Sequence, residues 1–255
     1  MKKILLSICV ICFTLFNANG QTIAAEEIIE SVFSGEDVSY KNVTISGTLD
    51  FTPYLEKKDD LPSKPWWGGS TNTIAKTIKA TLRFENCTFD DAVLAYYHDK
   101  GSENTFIAHF EQDVLFINCQ FKEGIAFKYS DFENSVDFSG STIDCDANFK
   151  YAEFENIANF SQINFNELAN FKYAEYSDKV IFAYTIFNEE ANFKYAEIEE
   201  GVDFSNAKFN GFVNFKYTAF DGDVILKNLQ INGDMDTKYT EVNGQDFTTY
   251  LLQNK

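Results

Sequence analysis

Few residues of this chain are of types suited to chemistry, and each can be judged by its spacing. The two histidines, His98 and His109, stand 11 residues apart, with Asp99 and Glu111 beside them. Imidazole with carboxylate can hold a metal or move a proton, but a zinc site needs three or four ligands at motif-like spacing. No third ligand accompanies this pair. His98 therefore reads as a loop residue and His109 as a strand neighbour, with an enzyme or metal site around them the minority alternative. Asn232-Gly233-Asp234-Met235-Asp236 begins like a calcium loop. Thr237, however, stands where that loop turns on glycine, and Asn243 where it needs a bidentate glutamate. A phosphate-cradling glycine loop and a Gly-x-Ser-x-Gly elbow are missing, and no Cys-x-x-Cys pair lies beyond the N-terminal apolar run that holds Cys9 and Cys12. The expectation is a chain with no catalytic residue, no cofactor and no metal, hence not an enzyme.

What does recur is lysine beside tyrosine. Phe-Lys-Tyr appears at Phe127-Tyr129, Phe149-Tyr151, Phe171-Tyr173, Phe193-Tyr195 and Phe215-Tyr217, each 22 residues from the last. A fixed period of this length marks a solenoid. Phe127, Phe138, Phe149, Phe160, Phe171, Phe182, Phe193, Phe204 and Phe215 stand 11 apart. A second series, Phe121, Phe132, Ile143, Phe154, Phe165, Tyr176, Phe187, Ile198, Phe209, Phe220 and Ile231, interleaves so that the steps alternate between 5 and 6. Two positions before each member sits a small or β-branched residue, such as Ala147, Ala152 or Ile163. Neither a helical period nor an unbroken strand alternation fits. A short extended piece with two inward side chains, followed by a corner, does fit. Four such sides close a coil of 22 residues. Each coil buries its large side chains only by stacking on the next.

The unit resembles that of the pentapeptide repeat family: a small residue, Asp or Asn, Leu or Phe, then two variable positions. Ala147-Asn148-Phe149-Lys150-Tyr151 and Ala169-Asn170-Phe171-Lys172-Tyr173 match it well, and Ala152-Glu153-Phe154 and Val202-Asp203-Phe204 more loosely. The likeness is strongest over about 116–232, with a sixth residue in every second unit as in a degenerate, Phe-rich branch. It implies an all-β fold, the right-handed quadrilateral parallel β-helix. About six to eight coils are expected, with short capping helices at both ends. Some acidic members of the family resemble duplex DNA and occupy a topoisomerase, an alternative that the charge here favours and the N-terminus opposes.

That N-terminus has Lys2 and Lys3, an apolar run from Ile4 to Phe16, and Ala18-Asn19-Gly20. This is the layout of a secretory signal peptide over 1–20, cut before Gln21. The run is too short to span a bilayer. Cys9 and Cys12 are misplaced for a lipoprotein. An exported protein, periplasmic or extracellular, is expected, with no integral membrane segment after processing. Loss of Lys2 and Lys3 leaves 19 Lys plus Arg against 39 Asp plus Glu, a formal −20. Nucleic acids and anionic membranes require a basic footprint, so neither is an expected partner. Arg83 is the sole arginine, which leaves almost no bidentate phosphate donor.

The remaining elements follow in chain order. Residues 21–37 read as an N-terminal cap, with a helix from Thr22 to Ser34 capped by Thr22 and closed by Gly35. Residues 38–232 read as the β-helix, with insertions at about 52–79 and 92–113. The first insertion carries all three prolines and the pair Trp66-Trp67. Those indoles could anchor a partner or stack on a sugar, or fold back over the loop's own base. Cys87 and Cys119 occupy the small inward position of successive coils. They could stack as thiols or, by Cα separation, form a disulfide. Cys145 falls at an outward corner without a partner. Residues 233–255 read as a C-terminal cap, with Asp246 starting a helix over Phe247 to Gln253.

One strip stands out as a docking surface. Lys128, Lys150, Lys172, Lys194 and Lys216 should form one ladder, Tyr129, Tyr151, Tyr173, Tyr195 and Tyr217 a second, and Asn148, Asn170, Asn192 and Asn214 a third. The next side is acidic, with Glu153, Glu175 and Glu197 among its members. Those carboxylates are expected to offset the lysine repulsion. The function expected is an exported scaffold or binding module. Its partner would be a protein or surface ligand, and oligomers could form through the solenoid ends.

Overall fold

The computed structural model describes residues 20–57 and 72–254. Apart from Gly20, the expected signal peptide lies outside those residues, as do Trp66 and Trp67. The chain winds through four sheets of short strands, visited in the same order in every coil. The first face runs from Val38–Lys41 to Asp223–Ile225 and has eight strands. The second, nine-stranded, runs from Gln21–Ala24 to Gln230–Ile231. The third, again eight-stranded, runs from Leu49–Asp50 to Met235–Asp236. The fourth has ten strands, among them Thr73–Ile78 and Gln245–Asp246. Pairing is parallel throughout, apart from two hairpins on the fourth face. The fold is a quadrilateral parallel β-helix.

Two-residue strands carry too little backbone pairing to hold alone, and side-chain columns do the rest. Phe149 stacks on Phe171 with ring centroids 5.2 Å apart and planes within 1°. Similar columns run up all four faces, as in Phe138 on Phe160, Phe165 on Phe187 and Phe132 on Phe154. Adjacent columns meet edge to face, for instance Phe171 against Phe182 at 5.3 Å and 75°. Parallel stacking along the axis and T-shaped contacts across it both suit the aromatic quadrupole.

The corners explain the alternation of 5 and 6. Over residues 125–198 every residue with positive φ sits in a two-residue corner: Tyr129, Gly140, Tyr151, Gln162, Tyr173, Tyr184 and Tyr195. In each regular coil these corners join the first face to the second and the third to the fourth. Ala152 N–H donates to Phe149 O at 3.0 Å across one of them, with Tyr151 at φ 59°. A turn that tight needs a left-handed third residue. Over the same residues the other two corners use one residue more and contain no left-handed residue. The sixth residue is thus the cost of turning without a left-handed residue.

Four boundaries differ from the expectation. Gln21–Ala24 is a strand pairing with Val43–Ser46, so Thr22 caps nothing and the helix α1 spans Ala25–Ser34. The open edge of the second face satisfies the backbone of 21–24, and Ala24 precedes α1 with no side-chain cap. Ile28 and Val32 of α1 are buried over the first coil, and Gly35 closes it at φ 85°. Thr73–Ile78, placed inside the first insertion, belongs to the fourth face. The second insertion narrows to a hairpin, Tyr96–Asp99 against Asn104–Phe110, whose second strand continues into the fourth face. Val93–Leu94 before it is an ordinary third-face strand. The register records both insertions: Val38 pairs with Leu82, 44 on, and Leu82 with Val114, 32 on, against 22 thereafter. Strands of the solenoid also extend past 232, through Met235–Asp236 and Glu241–Val242.

At the far end, the helix α2 spans Phe247–Asn254. Asp246 Oδ1 accepts from the Thr249 N–H at 2.9 Å. Phe247 packs at 5.4 Å on Phe215 and 5.7 Å on Phe220, covering the last aromatic rungs. No helix among the described residues is long and apolar enough to cross a membrane.

One rung carries a misfit. Tyr176 takes an inward fourth-face position 4.8 Å from Phe154, fully buried, and its hydroxyl meets no partner. Burial pushes the phenol pKa well above its ordinary value. An unpartnered buried hydroxyl costs about 1–3 kcal/mol. Tyr176→Phe is therefore expected to raise the unfolding free energy by about that amount. A lower urea midpoint in the variant would contradict this.

Candidate functional site

The strip at the corner between third and fourth faces is built from its backbone outward. From the rung of Lys150 onward, each begins with an Asn or Asp on the third face whose side chain accepts from the N–H two residues on, while Ala126 stands at that place before Lys128. Asn148 accepts from Lys150 and Asn170 from Lys172, both at 3.2 Å, and Asn192 from Lys194 and Asn214 from Lys216, both at 3.1 Å. These Asx turns set up the corner. The amide oxygens expected to face a ligand are thus spent in the architecture.

The tyrosine that follows is left-handed, with φ between 59° and 63° from Tyr129 to Tyr239. A non-glycine residue there loses about 1–2 kcal/mol. Ring stacking offsets it: centroids lie 4.9 Å apart for Tyr129 on Tyr151, 4.7 Å for Tyr151 on Tyr173 and for Tyr173 on Tyr195, and 4.8 Å for Tyr195 on Tyr217. Burial first, then Tyr151 and Tyr195, raises the Tyr173 pKa. The ring faces are consumed by one another, so the column offers its edges and hydroxyls.

Each lysine ammonium sits over the ring of its own rung: 4.6 Å for Lys128, 4.8 Å for Lys150, 5.0 Å for Lys172 and Lys194, and 5.5 Å for Lys216. Burial, followed by the charges of Lys172 and Lys128, lowers the Lys150 pKa. The expected offset by neighbouring carboxylates is not made by contact. Among the described residues no ion pair joins a ladder lysine to an acid. The corner holds each ammonium above its own ring, and cation–π attraction takes the place of an ion pair.

Two rungs escaped the sequence reading. Tyr239 stacks on Tyr217 at 4.8 Å with Lys238 over it at 4.9 Å. Thr237 replaces the motif phenylalanine there, but the spacing of 22 from Lys216-Tyr217 was signal enough. Tyr96 of the inserted hairpin tops the column, 6.0 Å from Tyr129, with its hydroxyl 3.3 Å from Lys128 Nζ. Nothing in the repeat could have placed it.

The acids line up beside the strip. Asp131, Glu153, Glu175 and Glu197 are register neighbours on the fourth face. Burial and then Asp131, Glu175 and Glu155 raise the Glu153 pKa. The histidines are kept apart. His98 Nδ1 meets Thr105 Oγ1 at 3.1 Å, whereas His109 Nδ1 lies 2.8 Å from Asp131 Oδ2 and 3.1 Å from the Asp131 N–H. One nitrogen cannot donate to that carboxylate and accept from that amide at the same time.

Cys87 and Cys119 are buried free thiols, and the possible disulfide is not formed. Cys87 Sγ lies 3.4 Å from Glu85 O and Cys119 Sγ 3.4 Å from Phe84 O. In-register parallel strands hold neighbouring side chains ~4.8 Å apart, more than the ~3.5–4.5 Å that a disulfide leaves between Cβ atoms. Cys145 is half-buried, its thiol pKa raised by burial and then by the Glu123, Asp144, Asp146 and Glu167 charges.

A family model described as pentapeptide repeats (9 copies) matches residues 108–153, 149–197 and 193–240, together just over half of the chain. No curated protein and no solved structure matches.

Proposed function

This chain belongs to the pentapeptide repeat family, and we propose on that premise that it is an exported, non-enzymatic scaffold or binding module. Its partner surface is the Lys/Tyr strip from Lys128-Tyr129 to Lys238-Tyr239. The observation that carries the reading is the row of ammonium groups held at coil spacing over stacked rings, with no acid of the described residues neutralising them. In a chain of net charge −18 this is the ordered cationic line. Ordering it in the free protein lowers the entropy lost on docking. The flat ladder holds no nucleophile within reach of a base, which favours recognition over catalysis.

Export rests on the N-terminal pattern. A cut before Gln21 would leave a mature chain beginning at the first residue of the second face, with every described strand retained. Affinity capture from the envelope fraction of the source cell tests both halves of the reading. The protein recovered there should begin at Gln21, and its partner should be lost, or bind about tenfold more weakly or worse, when Lys150, Lys172 and Lys194 are all replaced by Glu. Recovery of the chain with Met1 in the cytosol would end the export reading. A partner retained by the triple variant would remove the strip.

A further inference from the structure

The ladders of opposite charge lie side by side with a single tyrosine column between them. Across one coil the order is Lys172, Tyr173, Glu175, and the same Lys-Tyr-x-acid order holds at Lys128 to Asp131, Lys150 to Glu153, Lys194 to Glu197 and Lys238 to Glu241. Only the rung of Lys216 departs, with Ala219 in the acid position. Within one chain the ladders are not paired with each other: no ion pair among the described residues joins them, and of the ladder acids Asp131 alone has a basic partner, His109 at 2.8 Å. Each is frustrated along its own length, as the like-charge neighbours of Lys150 and of Glu153 show. Opposite charges at contact relieve both repulsions at once.

A two-fold axis parallel to the solenoid axis, lying over the tyrosine column, exchanges left and right and leaves the height along the axis unchanged. It sets every ladder lysine except Lys216 opposite an acid of the same coil. The geometry points to a second copy of this chain as the occupant of the strip, docked side by side and parallel. Lys150 meets the second copy's Glu153, Lys172 its Glu175 and Lys194 its Glu197, and the reciprocal pairs form by symmetry. The tyrosine edges, with Tyr129 38% and Tyr217 40% exposed, meet along the axis. Such an isologous patch is self-complementary by construction. A second copy matches because its coil repeat is identical, so the pairs stay in step from Lys128 to Glu241. This rests on the reading of the strip as a docking surface and names its partner.

The test is sedimentation of the purified protein from micromolar to hundreds of micromolar at roughly 0.15 M salt, where charges beyond ~8 Å are screened. The wild-type chain should sediment as two chains. Lys150→Glu, Lys172→Glu and Lys194→Glu together should give one chain, as should Glu153→Lys, Glu175→Lys and Glu197→Lys together. An equal mixture of the two triple variants should restore the two-chain mass, since all facing pairs become opposite again. Single substitutions Lys172→Glu and Glu175→Lys should show the same pattern more weakly, should a triple variant lose its circular-dichroism signature. A one-chain wild type, a two-chain triple variant, or a mixture that stays one-chain would each overturn self-docking. A one-chain wild type leaves the strip reading standing, because envelope capture tests that independently.

Discussion

Phe171→Ala should lower the unfolding free energy by about 3–5 kcal/mol, whereas its neighbour Lys172→Ala should change it by less than about 1 kcal/mol. Phe171 is fully buried and sits between Phe149 and Phe193 in its own column, at 5.2 and 5.1 Å. It also meets Phe160 and Phe182 edge-on, at 5.4 and 5.3 Å. Truncation removes these four ring contacts and a fifth, edge-on to Phe165 at 5.9 Å, and opens a void whose walls are the coils above and below. Those coils cannot collapse into it without breaking register. Because each coil contacts only its neighbours, the loss should weaken the middle of the stack and split it into two shorter arrays. Lys172 loses one exposed cation–π contact, and its removal relieves repulsion from adjacent rungs. Urea midpoints of the two variants decide the matter. Small, equal effects would mean that inward and outward positions have been exchanged.

Gly201→Ala is the second large effect expected. Gly201 has φ 112°, where a Cβ is strained, and a Cβ there would lie 2.4 Å from Asp223 O in the next coil. Backbone strain of this kind costs about 1–3 kcal/mol, and forcing neighbouring backbone apart adds about 1–3 kcal/mol. The two together would open the pairing of Gly201–Asp203 with Asp223–Ile225, near the end of the first face. Gly35→Ala is the control, because Gly35 also has positive φ, 85°, but has open space where the Cβ would stand. Its loss should be confined to the conformational part, about 1–2 kcal/mol. Equal midpoints for the two variants would show that the coils slide apart freely at this corner.

The inward columns, the four-sided coil and the strip were all legible in the sequence. They depend on one-dimensional regularities: a pleat that alternates side chains, and a repeat of 22 that returns each residue type to the same edge. Phe149 above Phe127 and Lys150 above Lys128 follow from counting alone. What counting could not reach depends on atoms brought together from different places in the chain. The strand at Gln21–Ala24 exists because the second face has an open edge to pair with, and local propensity there favoured a helix. The Tyr96 hairpin joins the strip through folding that no repeat encodes.

The left-handed φ of the ladder tyrosines is a tertiary outcome too. Isolated tyrosine disfavours that region, and the stack of rings holds it there. The same holds for charge. Sequence placed lysines beside acids. The corner geometry set each ammonium over its own ring and, among the described residues, left Glu153, Glu175 and Glu197 without a lysine partner. Spacing therefore determined which residues share an edge of this solenoid. Only the packed structure decided which of them touch, because contact depends on corner dihedrals that neighbouring coils impose.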